Sequence, residues 1–394
     1  MNETKPFAKL ADHGELIYVA LRQRLDAMSP WKWILLSVFV AVLLSVCFLT
    51  PKFWILRQPT PGSFEWDRAT TFIESSKTPW LAPAEAAMRW RMLPAWVAYF
   101  TGLRGALSLV IPWLGLLVWL GTTAWLIAKR TSDRLLGSAS SCLLATSGGA
   151  LAVTNFLGLN DGWYLTGLSV VTLARSPIAL AVATLLCPWV DERFLIALPL
   201  AWLCRRCLVR EDLLPNASSA AVEMVTLALC VAFYAICRLA LSASVPGGSD
   251  IAFLRSVREE LPRYLSFAPL GWFMGWRAGW LFIAALPIWM WFGGQRWNAA
   301  VLVAAVAAIA GLLLLVASDL SRSIVVLSPV MLVGVLICAN PPASGPKWRL
   351  LLLLAVAVNL LLPFAHVSHV KIYNVNSLPF ELFRLWKTRG SVEP

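Results

Sequence analysis

Carboxylates are scarce in this chain, so the places where they meet arginine are the first clues to its chemistry. Of 394 residues only 21 are Asp or Glu, against 33 Lys and Arg. Glu65 and Asp67 stand close together in FEWDR. A carboxylate there can serve as general base toward an acceptor hydroxyl about 3 Å away, or pair with Arg68 as an ordinary loop acid. Arg89, Arg91 and Arg104 lie within and beside AEAAMRWRMLPAWVAYFTGL. A guanidinium grips phosphate oxygens as a bidentate fork, and equally well snorkels at a membrane surface. Asp161 in LNDGWY, Asp191, Glu192 and Arg193 in PWVDERF, and Asp319 and Arg322 in ASDLSR occupy very short links between apolar runs. Charge so near hydrocarbon is costly unless paired or facing a cavity, so these residues point to local ion pairs or to a shared polar site. His366 and His369 precede Lys371 and Tyr373 in FAHVSHVKIY. If the helix continues there, their i, i+3 spacing puts both imidazoles on one face, for interfacial hydrogen bonds or, with nearby carboxylates, a divalent cation. No cofactor beyond that cation is indicated.

The elements that must position these residues are membrane helices. The chain is 59% hydrophobic and 14% charged, with a mean hydropathy of +0.71. A soluble chain is closer to half apolar and a quarter charged. Apolar runs recur near 31–50, 106–128, 135–156, 162–174, 177–190, 193–208, 217–240, 276–293, 298–317, 323–340 and 349–367. Runs of about twenty residues match the ~30 Å hydrocarbon core of a bilayer. The three between 162 and 208 are short for that thickness, as broken or re-entrant helices are. The expected fold is therefore an all-α transmembrane bundle of about eleven segments, forming one integral-membrane domain over 1–394. The first run reads as a retained helix rather than a signal peptide. The 21 Trp against six Tyr fit anchoring at membrane interfaces.

Short-loop charges set the orientation. With segment 1–30 inside, the inner short loops hold Lys129, Arg130, Arg134, Arg175, Arg205, Arg206, Arg210, Arg296, Lys347 and Arg349. The opposing short loops hold only Arg193 and Arg322, which is the positive-inside asymmetry. The outer face then carries a first long loop over 51–105, a second over 241–275 and the tail 368–394. All three mix large apolar residues with charges, as helices lying in the interface plane do. Glu223 and Arg238, within 217–240, read as reaching the inner and outer interfaces. The net charge of +12 lies in short clusters rather than a phosphate-tracking stripe, so nucleic acid is not an expected partner. The eight cysteines, Cys204 and Cys207 of CRRC included, read as small hydrophobes because no second pair completes a zinc site.

In layout the chain resembles the GT-C superfamily of integral-membrane glycosyltransferases, which use polyprenyl-phosphate-linked sugars. The resemblance rests on Glu65-Trp-Asp67 in the first outer loop with RWRMLPAWVAYFTGL after it, on ATLLCPWVDERFLIALPLAWLCRR, and on ASDLSRSIVVLSPVMLVGVLI. It spans roughly residues 30–340. Many members carry an adjacent acidic pair in that loop, whereas this chain has E-W-D. The resemblance implies an inverting transfer in which Asp67 or Glu65 deprotonates the acceptor and Arg89 and Arg91 hold the departing phosphate, with Arg322 or Lys371 assisting. Asp161, Asp191 and Glu192 would shape the sugar pocket, and Arg193, Asp319, His366 and His369 complete the set of substrate-facing residues. The implied partners are a polyprenyl-phosphate sugar, a lipid or glycan acceptor and membrane lipids. The implied location is a bacterial inner membrane with a cytoplasmic N-terminus and a periplasmic active site. Two other readings suit the same layout: an O-antigen or exopolysaccharide polymerase or ligase, and a lipid-linked sugar flippase or transporter.

Overall fold

The computed structural model describes residues 5–49, 64–81, 90–215, 217–244, 250–317, 319–339, 345–368 and 371–387. Within them, the side chains of 5–14, 64–67, 242–244, 250–260, 263, 264, 345, 346 and 385 lie outside the description. Helices α1 (Lys5–Asp26), α2 (Pro30–Phe48), α3 (Phe64–Lys77) and α4 (Met92–Phe100) come first. Then follow α5 (Val110–Thr131), α6 (Arg134–Ala145), α7 (Gly148–Asn155), α8 (Asp161–Leu173), α9 (Pro177–Leu186) and α10 (Arg193–Arg210). The second half holds α11 (Ala220–Ser244), α12 (Asp250–Trp276), α13 (Trp280–Phe292), α14 (Arg296–Val316), α15 (Leu320–Ser323), α16 (Ser328–Ala339) and α17 (Gly345–Leu361). Two short strands, β1 (Phe364–Val367) and β2 (Ile372–Val375), and helix α18 (Leu378–Lys387) close the described chain.

Each of the eleven apolar runs is helical over most of its length, and six helices among the described residues are long and apolar enough to cross a membrane. They are Pro30–Phe48, Gly105–Thr131, Ala220–Leu241, Leu265–Phe292, Arg296–Val316 and Leu320–Ala339. Helices α6 and α7 make a seventh if counted as one span bent by 60°. The bend falls at Thr146, whose carbonyl accepts from Arg277 Nη2 and whose hydroxyl accepts from Asn359 Nδ2 at 3.0 Å. Freed backbone is thus satisfied by protein, as a break at membrane depth requires.

The bundle is apolar inside and out. Leu229, Phe233 and Ile236 of α11 point outward, whereas Leu320–Ala339 is enclosed along its whole length. Helix α2 turns Trp33, Ser37, Ala41 and Ser45 inward at i, i+4 spacing, and Ser37 Oγ meets Ser138 Oγ of α6 at 2.7 Å. Small residues let helix backbones approach where lipid offers no hydrophobic drive for association. One such close approach joins α5 and α8: a Cβ on Gly162 would lie 2.3 Å from the Gly115 carbonyl carbon. That contact fixes the start of α8, and with it Asp161.

Two expectations are corrected by local chemistry. The segment 241–275, expected as an outer loop, is helical from Asp250 to Trp276, and its apolar half from Leu265 belongs to a candidate span. The expected segment 276–293 begins beside the charged Arg277. Arg277 is buried, donating to carbonyls of Asn359, Leu362 and Thr146 with its guanidinium over Phe364. The last apolar run, 349–367, is helical only as far as Leu361, so the condition for His366 and His369 to share a helical face is not met. Pro363 cannot extend it, and the β-branched and aromatic residues beyond pair as an antiparallel hairpin with His366 opposite Tyr373. The fold is helical with that one hairpin among the described residues.

Candidate functional site

Charged side chains collect at the two ends of the bundle. At one end Asp133 caps α6 through the Leu136 amide at 3.0 Å and accepts from Tyr18 Oη at 2.9 Å. Arg22 and Arg349 approach the same carboxylate at 3.8 and 3.4 Å. Nearby, Arg205 and Arg206 share Glu223 at 2.8 and 3.3 Å. Every one of these contacts ties together segments that the charge pattern assigns to one face.

The other end holds most of the expected site residues. Asp161 opens α8, Asp191 and Glu192 precede α10, and Asp319 precedes α15. A carboxylate at a helix N-terminus meets the positive end of the helix dipole. Short links between helices deliver all of them to one place. Arg322 holds Asp161 through Nε at 2.5 Å and Nη2 at 2.6 Å, and reaches Asp319 through Nη1 at 3.0 Å. Arg193 holds Asp191 through Nε and Nη2, both at 2.8 Å, and reaches Asp161 at 3.0 Å and Ser323 Oγ at 3.2 Å. Its guanidinium also lies 5.2 Å from the Tyr164 ring centre. The expected local pairs do form, and Asp161 bridges the two arginines into one network.

His366 joins from β1. Its Nε2 lies 3.5 Å from Asp319 Oδ1, and its Nδ1 lies 3.2 Å from Ser321 Oγ. Serine, histidine and aspartate in contact invite a nucleophile reading. Ser321 is fully buried, however, and its oxygen accepts the Val367 amide at 3.0 Å, which makes it a strut for the hairpin.

The network has a dry interior and a wetter mouth. Side chains of Asp161, Asp191, Asp319, Arg193 and Arg322 are 2–8% exposed, against 19% for Arg91, 29% for Glu192 and 28% for Arg238. Arg91 reaches Asp191 at 3.3 Å and Glu192 at 3.9 Å, while Arg238 reaches Glu192 at 3.3 Å. Burial alone would raise the Asp191 carboxyl, yet Arg193, Arg91 and Arg322 hold it below the usual carboxylate range. Asp319 is likewise held low against burial by His366 and Arg322. At Glu192 burial wins, and its carboxyl is pushed up against the pull of Arg91 and Arg238. Asp191 and Asp319 are therefore fixed anions, and Glu192 is the carboxylate of the mouth that most readily takes a proton.

Beside the mouth lies a cavity of about 650 Å³ between α4, α8 and α9. Leu93, Val97, Trp163, Val170, Ile178 and Val182 are among its lining residues, and Ile178 and Val182 are exposed, so it opens sideways on the apolar belt. Leu93 and Val190 also line it, two residues from Arg91 and next to Asp191. Two residues of the groove wall are thus close chain neighbours of charged residues at the mouth.

The remaining expected residues fall elsewhere. Glu65 and Asp67 lie on the first turn of α3, with side chains outside the described residues. The following turn, at Arg68 and Ala69, packs on the link before Asp161: a Cβ on Gly158, at φ +86°, would lie 2.8 Å from the Arg68 carbonyl oxygen. Arg89 and His369 lie outside the described residues. Lys371 is exposed, with its ammonium 5.3 Å from the Tyr373 ring centre. Arg104 stacks on Tyr99 at 3.7 Å. Among the described residues no three His, Cys, Asp or Glu side chains converge to hold a metal.

Arg238, which the sequence places at the outer interface, also belongs to the site. It stacks over Trp90 at 4.9 Å and donates to Tyr234 Oη at 3.2 Å. Its i, i+4 pairing with Tyr234 inside an apolar run was the available signal. No family model matches the chain, and neither the curated proteins nor the solved structures provide a match.

Proposed function

We propose that this chain is a polytopic membrane glycosyltransferase of the GT-C type. It moves a sugar from a polyprenyl-phosphate donor to a lipid or glycan acceptor at the outer face of a bacterial inner membrane. The carrying observation is an apolar side groove whose lining residues Val190 and Leu93 stand next to Asp191 and two residues from Arg91, which pairs with Asp191 and Glu192. A substrate with a long apolar chain and an anionic head fits that combination. The chain would lie among Val97, Trp163 and Val182, and the phosphate against Arg91 and Arg238.

In this reading all eleven apolar runs belong to the membrane domain, the short ones packed inside the bundle. The end holding Arg22, Arg205, Arg206 and Arg349 faces the cytoplasm, as the positive-inside rule requires. Asp67 or Glu65 removes the acceptor proton, and the acceptor oxygen attacks the anomeric carbon as the bond to phosphate breaks, inverting configuration. The packing of α3 against the link before Asp161 supports bringing that loop to the site. The interior Asp161–Arg193–Arg322 network holds the wall of the pocket. Transfer assays on the Asp67→Asn, Glu65→Gln and double variants test the base. Retained transfer in the double variant overturns it.

A further inference from the structure

Glu192 sits in the place where the proposed function would put a phosphate. Its two carboxylate oxygens face different guanidiniums, Oε1 toward Arg238 at 3.3 Å and Oε2 toward Arg91 at 3.9 Å. All three side chains are partly open, unlike the interior pairs behind them. Asp191 touches Arg91 from within, and Tyr234 touches Arg238 from α11. Trp90 covers the Arg238 guanidinium. Val190 and Leu93, which line the groove, are chain neighbours of this trio, two residues from Glu192 and from Arg91.

We infer that Glu192 is an internal stand-in for the donor phosphate, occupying the Arg91–Arg238 fork in the empty protein and yielding it when a lipid phosphodiester binds. This rests on the lipid-phosphate reading above and adds a gate to it.

Charge balance supports the exchange. Among the described residues, Asp161, Asp191, Glu192 and Asp319 face Arg91, Arg193, Arg238 and Arg322, four carboxylates and four guanidiniums. A phosphodiester carries one negative charge, so it can replace the Glu192 charge without unbalancing the network. Glu192 must then swing to solvent or take one proton from water. Its upward-shifted carboxyl makes the proton the cheaper course. No bond to carbon or phosphorus changes in this step. One proton moves from solvent to a Glu192 oxygen as the phosphate oxygens take over the two guanidiniums.

The test uses the full chain in lipid nanodiscs and geranylgeranyl methyl phosphate, a diester whose own charge is constant across the range studied. Binding is measured from pH 5 to pH 8, in two buffers of different ionisation heat, so that proton uptake is counted directly. Wild-type affinity should rise as pH falls, with net proton uptake at neutral pH. Glu192→Gln should bind about tenfold tighter at pH 8, the scale of one released charged hydrogen-bonding partner, with the gain shrinking as pH falls and no proton uptake. Arg238→Gln should bind about tenfold more weakly throughout. Dimethyl phosphate, which has the head and no chain, should compete poorly; competition as strong as the lipid's would overturn the lipid assignment.

Wild-type binding that Glu192→Gln neither tightens nor frees of its pH dependence overturns the stand-in and leaves the lipid-phosphate reading intact. Absence of diester binding in folded wild type and variant alike overturns both. If Glu192→Gln does not fold, wild-type proton uptake decides, and its absence overturns the stand-in.

Discussion

Arg322 grips Asp161 through two nitrogens across 161 positions of sequence, and both side chains are almost completely enclosed. The pair joins the mouth of the fully buried Leu320–Ala339 helix to the start of α8. Breaking a buried ion pair by removing one partner strands the other charge, at about 3–5 kcal/mol. Asp161→Asn and Arg322→Gln should each lower the melting temperature in lipid markedly. The double variant should be less destabilised than the sum of the two, because the stranded charge is gone. Additive losses would show that the two side chains are not coupled.

Acid should destabilise the protein only at low pH. Asp191 and Asp319 are held below the ordinary carboxylate value of ~3.9. A depressed carboxylate contributes stability that is complete above its unfolded value and lost as pH falls through its folded one. Glu192 works in the opposite sense: with its value raised, it favours the folded state at low pH and loses that contribution as pH rises. Thermal stability should therefore rise slightly from pH 8 toward pH 5 and fall below about pH 4. Glu192→Gln should remove the rise and keep the fall. A loss of stability centred near pH 6 would contradict the assignment of Asp191 and Asp319 as fixed anions.

Much of this was readable in advance. The helices follow from apolar runs whose length matches a bilayer. The acid–arginine cluster follows from short links that cannot carry charges far apart. Three features were not readable, each for a physical reason. Arg277 is buried because three carbonyls accept from it, and those carbonyls come from segments that sequence does not bring together. Arg238 owes its role to Glu192 on a distant segment and Trp90 on another. The hairpin bearing His366 competes with a helix-compatible pattern, and Pro363 together with the Ser321 strut decides between them.

The two ends of the bundle should lie on opposite sides of the membrane. Gly102 and Lys371 are exposed near the site end, and Arg210 and Gly294 are exposed at the other. In a background without native cysteines, an impermeant thiol reagent applied from outside should label Gly102→Cys and Lys371→Cys. It should reach Arg210→Cys and Gly294→Cys only after the membrane is opened. Labelling of all four from one side would refute the assigned orientation.

Filling the groove should weaken donor binding more than it harms the chemistry. Ala179 lines the cavity on α9 and is half-buried, so Ala179→Trp has room to fold. The expected result is a donor KM raised about tenfold with kcat much less affected, the signature of lost uniform binding. Equal losses in kcat and kcat/KM would place the groove's contribution in the transition state instead.

The most direct test of the central claim is sugar transfer by the purified protein in lipid, against a panel of radiolabelled polyprenyl-phosphate sugars. The account predicts release of label from one donor, inverted configuration in the product, and loss of both in the Asp67→Asn, Glu65→Gln double variant. No turnover with any donor, from a folded protein that binds lipid phosphodiester, would contradict it and favour a polymerase, a ligase or a flippase.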